Sequence, residues 1–160
     1  MTAQSRCPVQ RAIARLKQFA GMPVPANARW IDGKPDFRQI DQEQYVRHFR
    51  HKLCAVCGTK LTLACYWVGG GRSMESHYFA DGPMHEQCAE LSINLCPFLS
   101  NRKPTFRGGD VTPMPVQDAE ARPARMYLMR GITSAMEMHR LGAESLGLWA
   151  GKQLTVVREF

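Results

Sequence analysis

Apolar residues recur along this chain at two different spacings, and the places where the spacing changes set out its elements. From Pro8 to Phe19 the positions Val9, Ile13, Leu16 and Phe19 follow helical spacing with Arg11, Arg15 and Lys17 on other sides, which predicts an amphipathic helix with a basic exposed face. Gly21 to Ala28, with two prolines, reads as an extended connector. Arg29-Trp30-Ile31 then reads as a strand, Asp32-Gly33 as a turn and Lys34 to Phe37 as a second extended piece. Trp30 and Phe37 are expected to be packing anchors, an exposed base-stacking pair being the alternative. Asp41 is placed to cap a helix reaching about Lys52, with Tyr45, Val46, Phe49 and Leu53 inward and Arg47, His48, Arg50, His51 and Lys52 forming a basic run.

Beyond Leu61 the period changes. Leu61 to Val68 is rich in strand formers, Gly69-Gly70-Gly71 is a flexible turn, and His77 to Phe79 is extended again, so a hairpin is expected. Pro83 favours a helix starting there, carried on by Glu90, Leu91 and Leu95 until Cys96-Pro97 halts it. Residues 101–125 are rich in Pro, Gly, Arg and Asp without periodicity and read as a loop or irregular arm. Short apolar stretches at Met126 to Met129, Thr133 to Met138, Leu146 to Trp149 and Leu154 to Val157, punctuated by glycines, predict a small antiparallel β-sheet. Met126, Met129, Met136 and Met138 suit an adaptable core. The fold class expected is α+β. Residues 1–52 form an N-terminal helical and extended segment, 53–104 a central unit and 105–160 a loop with a β-rich end, all within one compact domain.

Composition narrows the functional classes. At 160 residues, 44% hydrophobic and 22% charged, the chain is long enough for a real core. It carries no run of about 18 apolar residues of the kind that spans a bilayer and no secretory-type leader, so a soluble cytoplasmic protein is expected. A formal charge of +7 favours nucleic acid or an acidic protein face as partner. No phosphate loop, dinucleotide fingerprint or nucleophile elbow is present.

The six cysteines carry the chemistry. Cys54-Ala55-Val56-Cys57, followed by Gly58, is answered by His85-Glu86-Gln87-Cys88, with 27 residues between Cys57 and His85. Two tight pairs of soft ligands point to reduced thiolates and a structural zinc ion at Cys54, Cys57, His85 and Cys88, in a treble-clef-like order of knuckle, hairpin and helix. Cys96 is the one candidate to replace a ligand. Cys65 reads as a buried apolar residue and Cys7 as an incidental thiol. Four protein ligands leave zinc no open position, so the expected function is a non-enzymatic zinc-stabilised binding module, with Arg47, Arg50 and Lys52 contacting nucleic acid or a protein partner. The alternative is a metal-dependent nuclease of the His-Asn-His type, with His77 as base, Glu75 on the same strand face, and Asn94 or Asn101 positioning the substrate.

The Cys54-x2-Cys57-Gly58, His85-x2-Cys88-Ala89 and Cys96-Pro97-Phe98-Leu99 motifs together resemble an uncharacterised family of small bacterial and phage-borne proteins. The likeness extends upstream through Trp30-Ile31-Asp32-Gly33-x-Pro35-Asp36-Phe37 and weakly to the strands around Trp149. It transfers no activity; a phage or mobile-element factor acting on a host enzyme is one form of the protein-partner reading. Relatives often read Pro-Ser-His at the helix start, where this chain has Met84 before His85.

Overall fold

The computed structural model describes residues 7–100, 123–143 and 145–160, apart from the side chains of Arg38 and Gln39. The expected loop at 101–125 and Asn101 therefore fall largely outside the described residues. The fold is mixed α+β, with four helices and small antiparallel sheets. Among the described residues no helix is long and apolar enough to cross a membrane.

The first helix, α1 (Pro8–Ala14), is shorter than its apolar period suggests. Arg15 closes it, and the chain turns through Ala20 and Gly21, both at positive φ, between the paired strands β1 (Gln18–Phe19) and β2 (Met22–Pro23). Val9, Ile13 and Leu16 pack against the core while Phe19 stays exposed. A second hairpin joins β3 (Ala28–Ile31) to β4 (Lys34–Ile40). Its turn residues Asp32 and Gly33 have φ of 47° and 74°, the left-handed pair that a two-residue hairpin loop requires. Trp30 is half-buried under the Lys17 ammonium, but Phe37 is 58% exposed and anchors no packing, contrary to the expectation. Helix α2 (Gln42–His51) starts as expected, the Asp41 carboxylate accepting from the Gln44 amide at 3.1 Å.

The expected hairpin between the two ligand pairs does not form. Strand β5 (Ala64–Gly69) is the edge of one three-stranded sheet, followed by β7 (Tyr127–Ile132) and β10 (Thr155–Glu159), and β6 (Tyr78–Phe79) is the edge of another, followed by β9 (Leu146–Trp149) and β8 (Glu137–Arg140). Gly69 to Gly71 lead instead into a short helix, α3 (Gly71–Ser76). Residues Tyr127–Ile132 (β7), Leu146–Trp149 (β9) and Thr155–Glu159 (β10) fall on stretches foreseen as strands at the C-terminal end, whereas the stretch from Thr133 to Met138 opens in a 3-10 turn, Thr133–Ala135, and its strand runs Glu137–Arg140 (β8). They do not make a sheet by themselves: β7 takes β5 as neighbour and β9 takes β6. Both inner faces meet in one cluster that includes Trp67, Phe79, Met84, Leu128, Met129 and Met136. Trp67 and Phe79 stack there at 5.3 Å between centroids.

The last helix, α4 (Glu86–Leu95), also starts later than Pro83. Met84 and Tyr66 exchange two backbone hydrogen bonds of 2.9 Å, which hold the chain extended and delay the first helical turn until after His85. Cys96 ends the helix as foreseen, in extended conformation before Pro97.

Candidate metal centre

The Cys-x2-Cys-Gly stretch folds into a tight knuckle for local reasons. The Gly58 amide donates to the Cys54 carbonyl at 2.9 Å, and the Cys54 amide donates to the Thr59 carbonyl at 2.8 Å. Closing that loop requires φ of +72° at residue 58, which glycine adopts without the penalty a Cβ would bring. Two further segments fix the knuckle in place. The Ala26 and Asn27 amides donate to the Val56 and Ala55 carbonyls, and the Ala55 amide donates to the Pro83 carbonyl, just before the second ligand pair.

His85 is the N-cap of α4 and Cys88 its third residue, so His85 stands just before the helix and Cys88 within its first turn. Cys54, Cys57, His85 and Cys88 are all buried, and their ligand atoms lie within 4.8 Å of one another. Such a group could hold a metal ion.

The hydrogen bonds around the group test that reading. His85 Nε2 lies 3.0 Å from the Lys60 carbonyl, which can only accept, so Nε2 carries the ring proton. The lone pair of Nδ1 then faces the thiols, with Cys57 Sγ at 3.4 Å. This is the tautomer and the outer partner that a ligating histidine needs. The Thr59 hydroxyl, 3.1 Å from Cys57 Sγ, can donate to a thiolate. Hydrogen bonds from Cys57 and then Cys88 hold the Cys54 thiol well below the usual range, whereas those same contacts, with Cys54 first, push Cys88 up. One negative charge in the cluster opposes a second. A dication is what would let three thiolates coexist there. The residues fit a metal.

Cys96 closes the far end of α4, eight residues beyond Cys88, which is about 12 Å along a helix, and it does not join the group. Cys65 is fully buried in β5, and burial pushes its thiol up to about 12.

The nuclease candidates are arranged differently from the expectation. Glu75 lies on α3, exposed, and His77 is the left-handed C-cap of that helix with φ of 63°, so the two do not share a strand face. A His77 ring nitrogen donates to the Gly151 carbonyl at 2.7 Å. Asn94 is exposed on the last turns of α4, its amide donating to the Glu90 carbonyl.

The basic run on α2 is also rearranged. Arg47, Arg50 and His51 are exposed and line an open groove of about 440 Å³ with Gln42, Glu43 and Val46. His48 turns inward beside Tyr45, and burial, reinforced by Arg47, lowers its pKa, so it adds no charge to this face at neutral pH. Lys52 is the left-handed C-cap and folds its ammonium over the Phe49 ring at 4.4 Å.

No protein-family model, curated protein or solved structure matches this chain.

Proposed function

We propose that this chain is a zinc-stabilised, non-enzymatic binding module whose α2 face contacts the phosphates of a nucleic acid. Three thiolates and one imidazole are the donor set that suits a d¹⁰ zinc ion, and four protein ligands leave it no site for water or substrate. Its role is to tie the knuckle to α4. The observation that carries the partner is the exposure of Arg47, Arg50 and His51 along one groove in a chain of net charge +7. A protein with acidic side chains is a second reading, favoured by Glu43 and Val46 in the same groove, which give it a mixed lining.

Replacing Arg47 and Arg50 together by Gln tests this. With duplex DNA as probe, affinity should fall across sequences, and the slope of log K against log salt should lose about one unit per lost contact. Thermal stability should hardly change, because both side chains are exposed. Unaltered DNA binding by that variant transfers the proposal to an acidic protein partner.

A further inference from the structure

The outer face of the β6-β9-β8 sheet carries an arrangement of side chains that the metal centre does not use. Tyr78 on β6 and Glu137 on β8 both stand opposite Trp149 on the central strand β9. His139, two residues along β8 from Glu137, lies on the same face. The alternating residues Phe79 and Leu148 point the other way and are buried. Tyr78, His139 and Trp149 are half-buried, and Glu137 is exposed.

These rings are held in place before any ligand arrives. Glu137 Oε2 lies 2.9 Å from His139 Nε2, and the carboxylate accepts that proton. In the neutral ring Nδ1 is then the acceptor, and the Tyr78 hydroxyl donates to it at 2.6 Å. The His139 ring lies within 15° of parallel to Trp149 at 6.4 Å, with Tyr78 tilted at 5.6 Å. Gly147 faces His139 across the strand pair, and the space a side chain would take there is filled by Leu141. The result is a fixed cluster of three half-buried rings with one carboxylate at its margin.

We propose that this face stacks an unpaired base of single-stranded nucleic acid. The inference rests on the nucleic-acid reading above and specifies the form of nucleic acid. A net charge of +7 draws in a polyanion, and aromatic faces bind bases of any identity once they are unstacked. The Glu137 carboxylate repels phosphate and accepts from exocyclic amino groups, so it places a base over the rings and the backbone away from them. Bases within a duplex are stacked on one another and cannot reach such a face.

The test uses the metal-loaded full chain and a labelled mixed-sequence oligonucleotide, single-stranded or annealed to its complement, with affinity read by fluorescence anisotropy at fixed salt. Trp149→Leu should weaken single-strand binding by roughly tenfold or more, the loss of about one stacked base, and leave duplex binding unchanged. A second reading keeps the strand intact: in a Trp30→Phe chain, whose Trp67 is buried, single strands should quench Trp149 fluorescence and duplex should not. Unchanged single-strand affinity in Trp149→Leu, or no quenching while duplex still binds, overturns this inference and leaves the α2 reading standing. Binding of neither form overturns both.

Discussion

Two cysteines of equal burial give a direct test of the metal centre. Cys65 and Cys88 are both fully inaccessible, so truncating either to Ala removes one buried sulfur from the same core. For Cys65 that is the whole effect: burial keeps its thiol protonated, and it stands outside the ligand group. Losing one heavy atom of apolar contact costs about 1 kcal/mol, with some cavity penalty. In a chain of this size that lowers Tm by roughly 2–4 °C. Cys88 is different because it stands within the buried Cys54, Cys57 and His85 group that could hold a metal ion. A structural zinc site contributes about 10–16 kcal/mol, which is as large as the roughly 5–15 kcal/mol net stability of a typical domain. Removing one of four ligands should therefore abolish the cooperative transition around Cys54, Cys57 and Ala89 rather than shift it. The assay is a circular-dichroism melt of both variants, with metal content of the purified proteins by mass spectrometry. One zinc per chain is expected in the wild type and in Cys65→Ala, and none in Cys88→Ala. Equal melting shifts for the two variants, or a wild type folded without metal, would refute the reasoning.

Two further outcomes follow from the packing. Gly131 sits on β7 against the buried Trp67, and a Cβ there would lie 2.7 Å from Trp67 Cζ3, so Gly131→Ala should cost about 1–3 kcal/mol in urea denaturation; a neutral result would mean that the ring is free to move. The Tyr45 hydroxyl donates to the Phe79 carbonyl, and burial raises its pKa above the usual 10.0, so its contribution is complete below 10.0 and is lost above it, as pH rises through the higher folded-state value. Tyr45→Phe should cost about 1 kcal/mol at neutral pH and remove part of the alkaline loss of stability, as read by melts across pH; an unchanged alkaline limb would assign that loss elsewhere.

The comparison of chain and fold separates short-range rules from long-range ones. The Asp41 cap, the Asp32-Gly33 turn and the Cys54-x2-Cys57-Gly58 knuckle are written within a few residues, because each satisfies its own backbone hydrogen bonds or special φ locally. The grouping of Cys54, Cys57, His85 and Cys88 was legible too, since residue types and spacing carry it. Strand partners were not. Nearest-neighbour pairing of β5 with β6 is the default from sequence, but β5 is buried along most of its length, and it finds a matching buried strand in β7 some sixty residues on. The start of α4 slipped past Pro83 because the bridge from Met84 to Tyr66 competes with the helix, and a bridge to a distant strand leaves no local mark. His48 looked like one more charge in a basic run, until packing placed it beside Tyr45 on the inner face, where desolvation lowers its pKa. The Tyr78, His139 and Glu137 contacts join residues on β6 and β8, which each pair with β9 and not with one another, so only the tertiary structure could bring them together.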